Sequence, residues 1–169
     1  MKRKTIPVVI VVVVLSVFFL LRGCGGSEER AIRRALDELV GRVALSECED
    51  MVRAGLRSRR IGDSFVDDAQ ISAKTYGISL RGRQDVVTAS LRVRTQLDRF
   101  TLEISGIEVS VRDDAQEAEV YCAVRVDVAG MGEEDRRYQE VEMSWSKTEE
   151  GWKIARLETV EIVRRPPHL

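Results

Sequence analysis

The chain has 169 residues, with 27 lysine and arginine side chains against 28 aspartate and glutamate side chains, for a formal net charge of −1. This balance argues against nucleic acid as a partner, because phosphate binding needs a concentrated positive field. The only histidine is His168, and no Cys/His spacing forms a ligand motif, so we expect neither a metal site nor a cofactor.

The N-terminal segment indicates where the protein is located. Three basic residues at positions 2–4 precede an apolar stretch from Ile6 to Leu21. This pattern is typical of an export signal or a membrane anchor whose basic end stays in the cytoplasm. We therefore predict that residues 1–23 are a signal peptide or membrane anchor. The rest of the chain would be membrane-attached and extracytoplasmic, in the periplasm or on the outer surface.

The end of this segment allows more than one form of attachment. The sequence Leu21-Arg22-Gly23-Cys24 resembles the bacterial lipobox, in which the cysteine is lipidated, although Arg22 departs from that motif. A lipoprotein modified at Cys24, an uncleaved anchor and a cleaved, secreted form all remain open. Residues 24–27 are interpreted as a short tether.

Two further cysteines, Cys48 and Cys122, follow Cys24. If Cys24 is lipidated, Cys48 and Cys122 are left as an even pair in an oxidising compartment, where a disulfide could form. Cys122 lies on the apolar face of a predicted strand, however, and buried free thiols are common. We favour two unpaired thiols in the core.

The first half of the remaining chain is predicted to be helical. Ser27 can act as the N-cap of a first helix, with Glu28 and Glu29 in its first turn. The apolar residues of this helix recur at helical spacing, at Ile32, Ala35, Leu36, Leu39, Val40 and Val43.

Two more helices are expected. Ser46 and Glu49 form a capping box, and a second helix should follow it as far as Ile61-Gly62. Cys48, Met51, Val52 and Leu56 would be its apolar residues. A third helix is predicted from about Arg83 to Leu97, with Val86, Val87, Leu91 and Leu97 inward. The pattern of residues 63–81 is ambiguous, and we expect turns there that flank short strands such as Gln70 to Tyr76.

The second half alternates between apolar and polar residues, as strands do. The phase of this alternation slips by one residue at Gly106, within the segment from Arg99 to Asp113. A β-bulge produces such a slip, and glycine tolerates its backbone conformation. We therefore predict one bent strand with a bulge at Gly106.

The later strands are separated by short turns. We predict a turn at Asp113-Asp114, a strand over 118–128, a polar loop from Gly130 to Asp135 and a strand over 140–145. A turn at 149–151 leads to a last strand ending near Ile162, and residues 164–169 form a tail. Successive strands joined by short turns form an antiparallel meander. Helices followed by a sheet indicate the α+β class.

This pattern resembles the nuclear transport factor 2-like superfamily, which includes SnoaL-like and ketosteroid-isomerase-like proteins. The resemblance covers residues 28–163 and is carried by the bent strand and by the segment from Trp145 to Ile154, in which a charged turn leads into Gly-Trp-Lys-Ile. It implies N-terminal helices packed across a strongly bent antiparallel sheet, which together form a cone.

Enzymes of this superfamily use Asp, Tyr, His or Arg groups that project into the cone. In this chain the predicted inward strand positions are aliphatic, Cys, Met or Trp. Asp98, Asp127 and Tyr76 could reach a pocket, but we interpret them as surface or helix-end residues. No catalytic residue is therefore assigned.

These observations favour a non-catalytic, membrane-tethered domain that acts as an interaction or assembly module of the cell envelope. The alternative is a small apolar-ligand-binding protein that uses the cone as its pocket. A third hypothesis is an enzyme of the isomerase or dehydratase type.

The outward face of the sheet is the candidate contact surface. Tyr121, Arg125 and Asp127 on one strand should lie beside Glu140 and Glu142 on the next. A mixed polar face with an aromatic residue can pair with a partner without being strongly apolar in the monomer. We expect a homodimer or an envelope protein partner there, and a plain solvated face is the alternative.

Overall fold

The computed structural model describes residues 26–45, 49–130 and 133–160, which form an α+β fold. The helices are α1 (26–43), α2 (Met51–Gly62) and α3 (Arg83–Gln96). The strands are β1 (Phe65–Ala73), β2 (Ile78–Arg81), β3 (Arg99–Val111), β4 (Glu117–Gly130), β5 (Glu133–Thr148) and β6 (Gly151–Val160).

The predicted anchor and Cys24 lie outside the described residues. No helix that the described residues form is both long and apolar enough to cross a bilayer. α1 already includes residue 26, so Ser27 lies inside this helix. The prediction that Ser27 caps it is therefore wrong, because the helical backbone begins upstream of that residue.

The sheet has the strand order β2-β1-β6-β5-β4-β3. Neighbouring strands are antiparallel, as predicted, except that β1 runs parallel to β6, with Ile71 opposite Leu157. The sheet is therefore mixed. Alternation within a strand reports which face is buried but not which strand lies beside it, so the sequence pattern could not reveal this pair.

The predicted bulge at Gly106 is confirmed. The β3–β4 register shifts between Ser105 and Glu108, and Gly106 has a φ of +62°. Leu102 and Val109, on either side of the bulge, pair with the inward-facing Val126 and Val120 of β4. The bulge thus keeps both halves of one long strand facing the core.

The polar loop predicted from Gly130 to Asp135 is mostly strand. β4 extends to Gly130, β5 begins at Glu133, and these two residues face each other in the register. Backbone pairing therefore includes Gly130 and residues 133–135, whose polar composition suggested a loop; residues 131 and 132 lie outside the described residues. The longer hairpin places Arg137 and Gln139 opposite Val126 and Val124, on the otherwise apolar face of the sheet.

The core lies between α1 and one face of the sheet, here called the helix-covered face; the opposite side is the open face. Ile32, Leu36 and Leu39 of α1 are buried, as their helical spacing predicts. They belong to one cluster with the buried sheet residues Ala118, Val120, Cys122, Val124, Val141, Met143, Trp145, Trp152 and Ile154.

α2 begins at Met51, because the Asp50 carboxylate accepts hydrogen bonds from the backbone N–H groups of the helix's second and third residues. The predicted earlier start is therefore wrong, and Ser46 and Cys48 lie outside the described residues. Met51, Val52 and Leu56 belong to this helix, as expected, but their side chains are exposed.

The buried side of α2 consists of three small residues and one isoleucine. Ala54, Ser58, Ile61 and Gly62 are the buried positions. A Cβ atom added at Gly62 would lie 2.5 Å from Cγ2 of Val87 in α3. At Gly62 the two helices are thus too close for a side chain without a shift of Val87.

A buried arginine joins the three helices. Arg94 of α3 is 3% exposed, forms a 2.9 Å ion pair with Glu49 and donates to the backbone carbonyls of Arg42 and Val43 at the end of α1. Glu49 also pairs with Arg57 of α2 at 2.7 Å. A cation at these carbonyls satisfies the helix end and complements its dipole.

β3 is an edge strand with two protected points. Leu45 and Phe100 exchange backbone hydrogen bonds of 2.7 and 2.8 Å. The Arg33 guanidinium of α1 donates to the carbonyl of Ile107, beside the bulge, at 3.0 Å. α1 and the residues after it thus cover part of an edge that would otherwise be open to another strand.

Candidate functional site

The middle of the helix-covered face is filled by side chains. Trp145 and Met143 of β5 are 1% and 3% exposed, and Val120 and Cys122 of β4 are fully buried. Ile32 and Leu36 of α1 belong to the same cluster. The inward positions here are apolar, as the alternation predicts, and the space between α1 and the sheet is occupied by packed side chains.

A polar cluster lies on the same face toward the β4–β5 hairpin. It consists of Tyr76, Arg137 and Gln139. The Tyr76 hydroxyl lies 3.5 Å from Oε1 of Gln139, and the Arg137 guanidinium lies 5.0 Å from the centre of the Tyr76 ring. Nε2 of Gln139 donates to the backbone carbonyl of Val160 at 2.7 Å. This Tyr76–Arg137–Gln139 cluster has donors and an aromatic ring beside an apolar surface.

The sequence interpretation missed Arg137 and Gln139 because it began this strand at residue 140. Gln139 and Arg137 are two and four residues before Val141, and they pair with Val124 and Val126. Side chains two residues apart share a face. Continuing the alternation backward from Trp145 through Met143 and Val141 would have placed both on the inner side.

The structure separates the three residues that the sequence placed near a pocket. Tyr76 ends a short 3₁₀ turn, Lys74–Tyr76, and joins the cluster just described. Asp127 lies on the open face, where it contacts Arg125 and Arg136. Asp98 is an exposed residue between α3 and β3, and its backbone N–H donates to Ala129. They do not form one site.

Two polar atoms on the helix-covered face are buried without a hydrogen-bond partner among the described residues. They are Nε1 of Trp145 and Oγ1 of Thr159. Thr159 pairs with Val141, the inward residue next to Gln139. Its hydroxyl therefore adds hydrogen-bonding capacity close to the polar cluster, whereas Trp145 lies in the filled centre.

The open face carries a network of ion pairs. Arg125 contacts Glu103 at 2.7 Å and Asp127 at 3.2 Å, and Asp127 contacts Arg136 at 2.5 Å. The hydrogen bond from Arg136, with the charge of Arg125 nearby, lowers the pKa of Asp127 below its ordinary value. These charges are balanced within one molecule.

All five predicted interface residues are brought together on this face. The Tyr121 hydroxyl donates to Glu140, and Glu142 lies opposite Tyr121 in the register. Tyr121 is 37% exposed, and Tyr138, which the sequence interpretation did not single out, is 63% exposed. The face therefore combines accessible aromatic rings with charged side chains, of which Arg125, Asp127 and Arg136 are ion-paired.

Cys122 is buried and forms no disulfide with any residue that the structure describes. Burial raises the pKa of this thiol to about 11, because the desolvated site disfavours the thiolate. Cys48 and Cys24 lie outside the described residues, so the pairing of Cys48 with Cys122 and the lipidation of Cys24 stay predictions.

Residues 55–158, which extend from α2 to β6, match the family model for the SnoaL-like domain. The chain belongs to the SnoaL-like family. The superfamily resemblance based on the bent strand and the last hairpin is thus confirmed. The Tyr76–Arg137–Gln139 cluster and the five predicted interface residues of the open face lie inside the matched segment. No curated protein sequence matches this SnoaL-like chain.

Solved structures share the fold. A Novosphingobium aromaticivorans protein provisionally named a scytalone dehydratase is 19% identical, with a TM-score of 0.68 over 84% of this chain and 97% of that one. A provisionally named aromatic ring hydroxylase from the same organism is 16% identical, with a TM-score of 0.67 over 82% and 91%. A nuclear transport factor 2-like protein from Salmonella enterica serovar Typhimurium is 9% identical, with a TM-score of 0.66 over 85% and 96%. At these identities the likeness supports the fold alone.

Proposed function

We propose that this SnoaL-like domain is a non-catalytic interaction module, attached to the extracytoplasmic side of the membrane by its N-terminal segment. The observation that carries the proposal is the filled centre of the helix-covered face. Where an enzyme of this fold would need space for a substrate, Trp145, Met143 and Cys122 pack against α1.

The distribution of charge supports the same proposal. Among the described residues, Arg94 is the only charged residue that is buried, and its contacts are with the helices and the end of α1. General acid–base catalysis needs a titratable group facing the substrate, in surroundings that tune its pKa. The open face, with its polar and charged side chains and the exposed Tyr121 and Tyr138, is better suited to protein contact.

We propose a second copy of this chain as the partner of the open face. The full chain in a mild detergent, studied by sedimentation or light scattering, tests this. We expect a dimer for the wild type and a folded monomer for Tyr121→Glu. Val93→Glu is the matched control, because Val93 is 38% exposed against 37% for Tyr121 but lies on α3. A wild type that stays monomeric at high concentration contradicts the self-pairing.

Cell fractionation tests the location. A C-terminally tagged chain should fractionate with membranes and be digested when protease is added to spheroplasts. A cytosolic, protected domain contradicts the proposal. Loss of lipid labelling in Cys24→Ala, with Cys48→Ala as the control, would identify the lipoprotein form, and unchanged membrane attachment would identify the anchor.

A small-molecule-binding protein is the second candidate. The Tyr76–Arg137–Gln139 cluster supports it, because a few polar groups beside an apolar surface are typical of ligand sites. The half-buried Leu102 and Val126 provide that surface. Arg137 pairs with Asp135 at 2.5 Å, so an amphipathic ligand with an anionic end would have to replace or share that carboxylate.

Titration with a dansylated fatty acid tests the second candidate. Saturable binding that Arg137→Gln weakens, and that the matched change Arg136→Gln on the open face leaves unchanged, would support it. An isomerase or dehydratase activity is the third candidate, and the provisional name of one solved relative, a scytalone dehydratase, raises it. That candidate depends on an acid–base pair close to the same cluster, which Tyr76 alone does not provide.

A further inference from the structure

α2 carries an exposed apolar stripe that the fold does not cover. It is formed by Val52 and Leu56, which are 72% and 55% exposed, and Met51 in the first turn is 68% exposed. Val52 and Leu56 are four residues apart and therefore neighbours on the helix surface. The buried side of this helix is held against α3 through Gly62, so the stripe is part of a preformed, fixed helix.

The same surface is basic. α2 contains Arg53, Arg57, Arg59 and Arg60 and no acidic residue. Asp50 and Glu49, which precede the helix, pair with Arg53 and Arg57 at 3.2 and 2.7 Å. Arg59 and Arg60 have no carboxylate partner within the part of the chain that the structure describes. They follow Leu56 by three and four positions, so their unbalanced charge lies one turn from the apolar stripe.

We propose that α2 is a docking surface for an anionic lipid bilayer. Val52 and Leu56 would enter the boundary between headgroups and acyl chains, while Arg59 and Arg60 would contact lipid phosphates. This combination of apolar and basic side chains on one helix surface is characteristic of interfacial helices. An acidic protein would match the arginines but would leave the exposed apolar stripe unexplained.

The proposal concerns the folded domain and does not depend on how the N-terminal segment is attached. A membrane-tethered chain would be oriented by α2, with this helix toward the bilayer. A chain without an anchor would bind anionic membranes reversibly, since a single short helix contributes a limited apolar area. α2 spans about 18 Å, enough for three turns to lie in the plane of the surface.

The experiment compares two tryptophan variants of the full chain, Leu56→Trp and Tyr138→Trp. Tyr138 is 63% exposed on the open face and is the matched control. Each is mixed with vesicles whose lipids carry brominated acyl chains, made of phosphatidylcholine alone or with phosphatidylglycerol, and the wild-type fluorescence is subtracted. We expect quenching of Leu56→Trp to be about twofold or more stronger in the anionic vesicles, with little quenching of Tyr138→Trp.

Charge reversal completes the test. In the Leu56→Trp background, Arg59→Glu with Arg60→Glu should remove at least about half of the quenching, as should about 0.5 M NaCl. Arg81→Glu with Arg92→Glu, two exposed arginines outside α2, should not. Circular dichroism checks that each variant is folded. Equal quenching in both kinds of vesicle, equal quenching at position 138, or quenching that survives reversal of Arg59 and Arg60 would overturn the proposal.

Discussion

Glu28 and Trp152 are 124 residues apart in the sequence, and the carboxylate of Glu28 accepts a 2.7 Å hydrogen bond from the Trp152 indole. The same carboxylate accepts a 2.8 Å hydrogen bond from Nζ of Lys147. Lys147 and Trp152 face each other at the end of the β5–β6 hairpin. The start of α1 is thus fastened to the last hairpin of the sheet.

This contact predicts a pH-dependent loss of stability in Glu28→Gln. The hydrogen bond from Lys147, and then that from Trp152, lowers the pKa of Glu28 below its usual 4.5. Its contribution is therefore present above about pH 4.5 and is lost as the pH falls through the lower, folded-state pKa. Near pH 7 we expect the free energy of unfolding to fall by about 1–2 kcal/mol.

Urea unfolding near neutral pH and well below pH 4.5 measures this effect. The difference between wild type and Glu28→Gln should shrink at the lower pH. Glu149→Gln, in the exposed turn of the same hairpin, is the control and should change stability by less than about 0.5 kcal/mol. A difference that does not depend on pH would contradict the charged contact.

Gly106→Val should destabilise the protein by about 1–3 kcal/mol. An added Cβ would meet no atom within 4 Å, so the loss would come from the backbone conformation, with its φ of +62°, rather than from a clash. Gly106→Asn should cost less, because asparagine adopts positive φ more readily than valine. Thermal unfolding compares the two, and an equal loss in both variants would refute this explanation.

Arg94→Met should lower the free energy of unfolding by about 3–5 kcal/mol. The change leaves Glu49 without its buried partner. It also removes the hydrogen bonds that the backbone carbonyls of Arg42 and Val43 accept at the end of α1. Arg92→Met, two residues earlier on the solvent side of α3, should change it by less than about 0.5 kcal/mol. A double-mutant cycle with Glu49→Gln should show coupling between positions 49 and 94. Additive effects would show that the ion pair is not what stabilises this junction.

Cys122 should react slowly with iodoacetamide in the native protein. A pKa of about 11, against the ordinary 9.0, leaves roughly a hundredfold less thiolate near pH 8. Mass spectrometry of native and urea-unfolded samples should find Cys122 labelled only after unfolding. A Cys48–Cys122 disulfide would instead leave both residues unlabelled in urea until a reductant is added.

The sheet was the predictable part of this fold. Alternation places Val120, Cys122 and Met143 on the buried face without any knowledge of the neighbouring strands, and the phase slip at Gly106 gives the bulge directly. Alternation could not give the β1–β6 pair, which joins strands far apart in the chain. The family resemblance, based on the last hairpin, correctly gave the helices on one face.

The helices and the polar cluster were harder to predict, for physical reasons. On α2 the buried positions are Ala54, Ser58, Ile61 and Gly62, whereas Leu56 is outside, an arrangement that the apolar residues of this segment did not indicate. Arg94 resembles any surface arginine until its partner Glu49 is known. Arg137 and Gln139 were hidden because polar composition near residue 130 suggested a loop where the backbone continues as a strand.

α1 precedes the segment that the family model matches, which begins at residue 55. Yet it supplies Ile32 and Leu36 to the core, and its Arg33 donates a hydrogen bond to a backbone carbonyl at the edge of the thirteen-residue strand β3. A fragment starting at residue 55 would keep every strand but lose the layer over them. It would present an apolar sheet surface and an open edge, the arrangement from which intermolecular β-sheets grow. The smallest unit of this protein able to stay soluble is therefore longer than its recognisable family segment.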